Sequence, residues 1–311
     1  MSRQNHLDFI KCVMIVLMVA FHLQYIEHLY PTLKQAVFTF HMPVFLLISG
    51  YFMNVRKPGR EFLRRLGRIV LPYVVMEAAY VVASAYLPVA DGVERLTAGV
   101  LFDKICRHPL GPYWYLHTLA VCTAVSWLVA RLPRLSAQSA ALLGAGVLVA
   151  ISSLWGWLSV TGAVYFSIGM LLRQWSVGLF VKERATGWSL LLAVALCGFA
   201  CNRTALSLGG LAISLLVGNG LTALCPRLPG GMLRGALWLG RNTLPVLLFS
   251  PVFTMAVKPL AGLLAPFDGG TGLLFLAVAL TVAVGGSIGM AWVADRMGLS
   301  RRLFLGNLLS R

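Results

Sequence analysis

The chain has 311 residues, of which 59% are hydrophobic and only 12% are charged. A soluble protein of this length keeps roughly 25% charged residues to face water. The composition therefore excludes a soluble globular protein and indicates a chain that exposes apolar side chains to lipid. The net charge of +16 raises nucleic-acid binding as a second interpretation, which the distribution of that charge along the chain can decide.

Apolar blocks of bilayer-spanning length follow one another along the sequence. Because a helix needs about 20 residues to cross a hydrocarbon core of about 30 Å, these blocks predict membrane-spanning helices. The alternating pattern of a membrane β-barrel is absent. We therefore predict an all-α polytopic transmembrane helical bundle, a single integral-membrane domain over residues 1–311, without a signal peptide. The predicted spans are 8–29, 36–53, 69–88, 113–131, 137–153, 157–173, 187–202, 205–224, 243–262 and 272–294.

The connections between these spans are short. Only residues 88–112 leave room for an extra amphipathic or re-entrant piece. The spacing of Gly285 and Gly289 predicts a contact between helices in lipid. The same stretch matches the GxSxG pattern of hydrolases, but that pattern requires a strand-to-helix turn and lies here inside a predicted span.

Basic residues are unevenly distributed between the two sides of this predicted topology. With both termini in the cytoplasm, the outer side receives only six of the 26 basic residues: Lys34, Arg95, Lys104, Arg107, Arg203 and Lys258. Such an asymmetry is the positive-inside pattern of membrane proteins. The charge is thus explained by a lipid bilayer as partner, and no nucleic-acid partner is predicted. The six cysteines form no CxxC pair and have no histidine at metal-ligand spacing, so no metal site is predicted.

The first predicted span carries three ionisable residues: Asp8, Lys11 and His22. At about 100° per residue all three share one helical face, and His22 lies about 16 Å beyond Lys11 along the axis, deep in the bilayer. Ionisable groups at that depth are costly and mark functional sites. The alternative interpretations are a histidine satisfied by a neighbouring helix and a snorkelling Asp8–Lys11 pair at the interface.

Further polar residues occur within or beside other spans. Pro43 frees backbone carbonyl groups that neighbours must satisfy, which predicts a polar spot near His41 or, alternatively, a kinked structural helix. Glu77 lies inside the third span. Trp114 belongs to an aromatic cluster of the kind found in interfacial belts. Asn242 precedes the ninth span, where helix capping is the alternative role.

Arginines are dense between the second and third spans. Arg60, Arg64 and Arg68 recur every four residues on one helical face, and Arg65 precedes Arg68 by three. Guanidinium groups bind phosphates in bidentate fashion. The cluster predicts either a polyphosphorylated cytosolic ligand or anionic lipid headgroups. The residues alone leave both interpretations open.

These motifs, in this order, resemble membrane-bound acyltransferase family 3, which O-acylates sugars and cell-surface glycans in bacteria. Lys11 with His22 after ten intervening residues is similar to the family's basic-residue–x10–His signature. Residues 40–45 and 48–52 are similar to its second-helix motif, and residues 65–68 resemble its RxxR element. Residues 114–116 and 239–244 also match, so the resemblance covers essentially the whole chain.

Two positions depart from the family pattern. The first-helix basic residue is Lys11, where arginine is common, and lysine lacks bidentate geometry. Ser250 precedes Pro251 where many members carry a histidine. The chain resembles the stand-alone form of the family, and no fused extracytoplasmic domain is expected.

The resemblance implies an integral-membrane O-acyltransferase of the bacterial inner membrane. It would move an acyl group, expected to be acetyl, from acyl-CoA as donor substrate to a hydroxyl of a carbohydrate or lipid-linked glycan, with no permanently bound cofactor. His22 is the predicted base, because neutral imidazole accepts a proton at pH 7 and burial helps to keep it neutral. The other predicted site residues are Asp8 and Lys11 in catalysis, Arg64, Arg65 and Arg68 at the donor phosphates, and His41, Glu77, Trp114 and Asn242 as auxiliary or acceptor residues.

A second class of function stays open. Intramembrane acids, lysines and histidines also mark proton-coupled transporters and flippases for glycolipids or glycans. Transporters usually contain internal repeats, and this sequence shows no convincing one. Consumption of acetyl-CoA distinguishes the two classes, because a transporter consumes none.

Overall fold

The protein is helical throughout the part of the chain that the computed structural model describes, residues 5–23, 29–55, 57–87, 92–264 and 269–310. Within these ranges there is no strand, so the predicted all-α class is confirmed. The helices are α1 (Asn5–Phe21), α2 (Pro31–Tyr51), α3 (Gly59–Ser84), α4 (Ala98–Cys106), α5 (Trp114–Val129), α6 (Ala137–Trp155), α7 (Val160–Gln174), α8 (Trp188–Cys197), α9 (Leu208–Leu224), α10 (Gly230–Arg241), α11 (Thr243–Ala256), α12 (Lys258–Leu264), α13 (Gly269–Arg296) and α14 (Leu299–Leu303).

The long apolar helices identify a membrane protein. Among the described residues, five segments are long and apolar enough to cross a bilayer: Pro31–Tyr51, Gly59–Ser84, Ala137–Trp155, Leu208–Arg227 and Gly270–Arg296. Every predicted span coincides with at least one helix, although ten crossings remain a prediction. The first span is shorter than predicted, because α1 ends at Phe21, and residues 24–28 lie outside the described ranges. The ninth is divided into α11 and α12 at Val257.

Two helices lie in segments that were predicted to connect spans. The extra piece predicted within residues 88–112 contains α4, whereas residues 88–91 lie outside the described part. Helix α10 was missed entirely. Its buried Leu237 and Gly240, with Leu233 one turn earlier, repeat at helical spacing, a signal too short to stand out beside the long apolar blocks.

Serine and threonine side chains define where several helices begin. The Thr97, Ser136, Ser159 and Ser207 side chains each accept a hydrogen bond from the backbone N–H three residues later. These contacts satisfy donors that the first helical turn leaves without an intrahelical partner. Polar residues in the loops therefore set the starts of α4, α6, α7 and α9.

The chain groups into two compact units, each made of separated stretches. The first unit comprises Met1–Phe45, Phe180–Arg296 and Leu308–Arg311, and the second comprises Leu46–Leu179 and Met297–Asn307. In the first unit, α1 is buried on nearly all sides and packs against α9, α10, α11 and α13. An all-round apolar helix is stable only in such surroundings or in lipid. The prediction of one domain for the whole chain stays a prediction.

Glycines allow close helix contacts in the second unit, as expected for helices packed in lipid. A Cβ on Gly50 would overlap the Phe166 carbonyl, and one on Gly169 would overlap the Leu47 carbonyl. The predicted contact at Gly285 and Gly289 is wrong, since a Cβ at either position meets no atom of the described chain within 4 Å. The glycine between them, Gly286, is the one that packs, against Phe253.

The GxSxG serine, Ser287, lies in the middle of α13. Its hydroxyl donates to the Ala283 carbonyl one turn earlier, and the side chain is fully buried. The stretch is therefore regular helix and lacks the turn that a hydrolase nucleophile requires.

Candidate functional site

A three-residue charge cluster ties the start of α1 to the end of α10. The Asp8 carboxylate lies 2.7 Å from the Lys11 ammonium, which confirms the predicted pair. Its other oxygen accepts a hydrogen bond of 3.2 Å from Nε of Arg241. The Asp8 side chain is only 13% exposed, so one carboxylate serves two partly buried cations. Arg241 was missed in the sequence, where only its neighbour Asn242 was singled out.

Gly240 brings the two helices together at this cluster. A Cβ at this position would overlap the backbone carbonyl of Asp8. Because a backbone carbonyl inside a helix cannot move aside without breaking the helix, any side chain here separates α1 from α10. Gly240 is therefore required for Arg241 to reach Asp8.

We expect Gly240→Ala to lower the thermal unfolding midpoint of the purified protein, because the added methyl group overpacks this contact, at a cost of about 1–3 kcal/mol. Gly235→Ala, in the same helix, is the matched control, since its Cβ points into open space. It should stabilise the helix by about 0.5–1 kcal/mol. Equal shifts of the same sign for the two variants would contradict the close contact.

Asn242 anchors the last described residues of the chain. Its Oδ1 accepts hydrogen bonds from the backbone N–H and the hydroxyl of Ser310, and its amide donates to the Trp238 carbonyl. The side chain makes no capping bond to α11, so the capping interpretation is wrong. This fully buried amide has protein partners at both ends, which is a structural role.

His22 follows the last residue of α1 and is exposed. The first helix is shorter than predicted, because α1 ends one residue before His22. The expected depth of His22 in the bilayer stays a prediction. Its Nδ1 lies 2.7 Å from the Met18 carbonyl. A carbonyl oxygen only accepts hydrogen bonds, so Nδ1 carries the proton and the lone pair of the neutral ring is on Nε2.

A stripe of cationic and aromatic side chains runs along α2 beside His22. Lys34, Phe38 and His41 recur at spacings of four and three residues, which places them on one helical face. The Lys34 ammonium lies 5.3 Å from the centre of the Phe38 ring. Phe38 stacks on His22 at a centroid distance of 5.8 Å and contacts His41 at 4.9 Å. Phe38 and Lys34 were missed as site residues, although their spacing from His41 is readable in the sequence.

His41 is 2% exposed and has the same tautomer as His22, since its Nδ1 lies 2.9 Å from the Val37 carbonyl. Its Nε2 has no hydrogen-bond partner among the described residues. Pro43, two residues later, cannot donate to the Thr39 carbonyl. The Ser214 hydroxyl of α9 lies 3.5 Å from that carbonyl, but it lies only 2.9 Å from the Gly210 carbonyl of its own helix, which is the stronger acceptor contact.

An open cavity of about 560 Å³ lies at the start of α2 in the first unit. Helix α2 contributes four polar or aromatic residues to it, and the loop before α9 contributes three residues. The lining residues are Pro31, Lys34, Gln35, Phe38, Thr39, Arg203, Thr204 and Ala205. Phe38 is thus shared between this cavity and the two histidines.

The second unit carries the predicted donor arginines at the start of α3. Arg64, Arg65 and Arg68 are all exposed, and Arg65 lies 3.7 Å from Glu61 with 60% of its side chain exposed. Arg56, which precedes this stretch in the sequence, lies outside the described residues. Exposed guanidinium groups at helical spacing can bind the phosphate groups of a ligand that arrives from solution.

A cationic segment near the end of the chain packs on the same stretch of α3. A Cβ on Gly306 would lie 3.6 Å from Nε of Arg68, and one on Gly67 would lie 3.0 Å from the Leu305 side chain. Helix α14 in this segment carries the exposed Arg301 and Arg302. Because these residues lie more than 200 positions after Arg68, the sequence did not predict that they join the arginine cluster.

Glu77 and Trp114 also lie in the second unit, but they have different surroundings. Glu77 is fully buried, and its Oε1 accepts a 2.7 Å hydrogen bond from the backbone N–H of Leu110. It therefore holds the loop between α4 and α5, and its Oε2 has no partner among the described residues. Trp114, together with His117 and Arg107, lines a smaller cavity of about 200 Å³.

The structure thus separates the three predicted catalytic residues into two places. Asp8 and Lys11 lie together at the start of α1, and His22 follows its other end, about 16 Å along the axis. His22 is brought instead to Phe38 and His41. In the described part of the chain, no cluster of three or more His, Cys, Asp or Glu side chains suits a metal ion.

Comparison with known proteins identifies the family. A family model described as an acyltransferase domain (Acyl_transf_3) matches residues 4–292. Nodulation protein NolL of Sinorhizobium fredii (strain NBRC 101917 / NGR234) is 29% identical over 147 residues. That match covers 43% of this chain and 39% of NolL. No solved structure matches. Since the family model covers nearly the whole chain, the protein belongs to membrane-bound acyltransferase family 3.

Proposed function

We propose that this membrane acyltransferase transfers an acetyl group from acetyl-CoA to a hydroxyl of a sugar or glycan in the bacterial inner membrane. The observation that carries the proposal is the environment of His22. Its Nδ1–H donates to the Met18 carbonyl, which puts the basic lone pair on Nε2, the atom that takes a substrate proton. The ring stacks on Phe38, which lines a cavity of about 560 Å³. A base separated by one aromatic ring from an open cavity supports a carbohydrate acceptor in that cavity.

The proposed step is direct transfer. The acceptor oxygen attacks the thioester carbonyl carbon while Nε2 of His22 takes the hydroxyl proton. The carbon–sulfur bond then breaks, the new ester forms, and the proton passes from the imidazolium to the CoA thiolate. No further reactant is needed. Lys11 is proposed to bind the donor as a cation. Asp8 would hold Lys11 in place, since its carboxylate lies 2.7 Å from the Lys11 ammonium.

The donor phosphates are proposed to bind the exposed arginines of α3. Acetyl-CoA carries several phosphate groups, and guanidinium groups are the side chains best shaped to bind them. In the predicted topology this stretch is cytoplasmic, the side on which acetyl-CoA is made. Arg64, Arg65 and Arg68 are within reach of solvent, as such a ligand requires.

We expect the double variant Arg65→Ala/Arg68→Ala to weaken acetyl-CoA binding by about 10- to 150-fold for each lost charge-assisted contact, since each contact contributes about 1.5–3 kcal/mol. Binding is measured by titrating the detergent-solubilised protein. Arg184→Ala, an exposed arginine of the first unit, is the matched control and should bind normally. Unchanged affinity in the double variant would refute the phosphate role.

The acetyl-transfer proposal is tested by acetyl-CoA consumption. Purified protein in lipid is given candidate sugars, and release of free CoA thiol is followed. Sugar-dependent release that is lost in His22→Ala supports the proposal. A folded protein that binds no acetyl-CoA and releases no thiol would instead favour a glycan transporter, which consumes none.

A further inference from the structure

We propose that the acceptor carries an anionic group, a carboxylate or a phosphate, and that Lys34 and Arg203 bind this group in the cavity at the start of α2. This inference rests on the proposed function and adds to it the chemical class of the acceptor. The cavity brings together two cationic side chains from distant parts of the chain. No acidic residue stands among the described side chains that line it.

The charge of this cavity is unusual for its predicted side of the membrane. Only six of 26 basic residues fall in the predicted outer segments, and two of those six, Lys34 and Arg203, line this one cavity. Cations on the outer side oppose the positive-inside tendency. Two of them line one concave site, where an anionic ligand would meet both.

Arg203 has unused hydrogen-bonding capacity. Its Nε is buried and has no hydrogen-bond partner anywhere in the described chain. Burying a guanidinium N–H without a partner is costly, and such groups are normally paired. A carboxylate or phosphate in the cavity would supply the missing acceptor in bidentate form.

The loop that carries Arg203 is held in place by its neighbours. The Ser207 hydroxyl donates to the Thr204 carbonyl, and the Asn202 amide donates to the Leu196 carbonyl. A Cβ on Gly210 would overlap the Thr204 carbonyl, so this glycine lets α9 lie directly against the loop. The arginine is therefore presented by a fixed backbone, which lowers the entropic cost of binding.

The cavity and the proposed base share one side chain, Phe38. Phe38 forms part of the cavity lining and stacks on His22 at 5.8 Å. An acceptor held by its anionic group at Lys34 and Arg203 would extend over Phe38 towards His22, where a hydroxyl loses its proton.

The start of α2 adds to the attraction for an anion. Pro31, the first residue of this 21-residue helix, lines the cavity together with Lys34 and Gln35. The first turn of a helix carries a partial positive charge. In α2 its N–H groups are those of Thr32 and Leu33, because Pro31 has none and the Lys34 N–H donates to the Tyr30 carbonyl. The helix end and the two side chains therefore act in the same direction.

The test compares a charged and a neutral sugar of matched shape. Glucuronate and glucose are titrated, at equal ionic strength and without acetyl-CoA, into protein in phosphatidylcholine nanodiscs, and the thermal unfolding midpoint is followed. We expect glucuronate to bind at least about tenfold more tightly than glucose. Equal binding of the two sugars, or no binding of glucuronate, would overturn the inference.

Variants assign the effect to the cavity. Arg203→Gln is expected to lose the preference for glucuronate, and Arg203→Lys is expected to retain part of it. Lys34→Gln is expected to weaken the preference, and this variant serves as the test if Arg203→Gln does not fold. Arg95→Gln, an exposed arginine of the second unit, is the matched control and should keep the preference. A preference that survives in folded Arg203→Gln would place the anion elsewhere and sink the inference.

Two further measurements complete the test. One distinguishes a lipid headgroup from a sugar as the ligand of the cavity, and the other distinguishes acceptor binding from acyl transfer. Nanodiscs containing phosphatidylglycerol test whether a lipid headgroup fills the cavity; complete loss of glucuronate binding there would overturn an acceptor role. Acetyl-CoA binding is titrated on the same preparations. Failure to bind glucuronate with normal acetyl-CoA binding rejects only the anionic acceptor. Normal glucuronate binding without sugar-dependent CoA release rejects only the proposed transfer.

Discussion

Replacing His22 by alanine is expected to lower acyl transfer by about 10²- to 10⁴-fold, the range that a positioned general base contributes. The loss follows from the tautomer, because the ring presents a basic Nε2 only while its Nδ1–H is held by the Met18 carbonyl. Abundance in membranes should stay normal, since His22 is exposed and lies beyond the end of α1. The measurement is CoA-thiol release under single-turnover conditions.

The matched control for His22 is another exposed histidine. His108 lies in the second unit and pairs with Asp103 at 3.0 Å, so His108→Ala should retain turnover. His41→Ala is the informative comparison, because His41 contacts the same phenylalanine. Wild-type turnover in His22→Ala combined with loss in His41→Ala would move the base from the first to the second histidine.

Asp8→Asn is expected to destabilise the protein by about 3 kcal/mol, as in other largely buried ion pairs that lose one partner. A neutral amide leaves both Lys11 and Arg241 without their counter-charge, and all three side chains are mostly buried. The readouts are the thermal unfolding midpoint in detergent and the yield of folded protein. The contact between α1 and α10 should weaken together with the charge cluster.

A second substitution tests the electrostatic cause. Adding Lys11→Met to Asp8→Asn removes one unpaired cation and should recover part of the lost stability. Asp103→Asn is the surface control, since its carboxylate is 38% exposed beside the 58% exposed His108, and exposed pairs contribute little. If Asp8→Asn shifts the midpoint no more than Asp103→Asn, the cluster does not hold the helices together.

Much of the fold was readable from the sequence because lipid imposes a simple length rule. Each apolar block of span length coincides with a helix, and the Ser residues before α6, α7 and α9 mark their starts. The end of α1 was placed too late, because the prediction extended the span over residues 22–29, where apolar and polar residues are mixed, whereas α1 ends at Phe21. Helix α10 was missed because its amphipathic pattern covers only 12 residues.

The candidate site was only partly readable, because its decisive contacts join distant residues. The Asp8–Lys11 pair lies within one helical turn and was predicted correctly. Arg241 reaches the same carboxylate from 233 residues away, which no local spacing can reveal. Arg203 was counted only as one of the outer charges. Arg203 and Lys34 line the same cavity only because α2 packs against the loop before α9.

The distance along the chain between Asp8 and Arg241 also has a consequence for biosynthesis. Helix α1 leaves the ribosome first, and at roughly 5–20 residues per second the 233 residues that separate the two partners take roughly 12–47 s to make. During that interval Asp8 has only Lys11 as a nearby counter-charge. The charge cluster can therefore be completed only after α10 has been made, and until then the Asp8–Lys11 pair stands without Arg241.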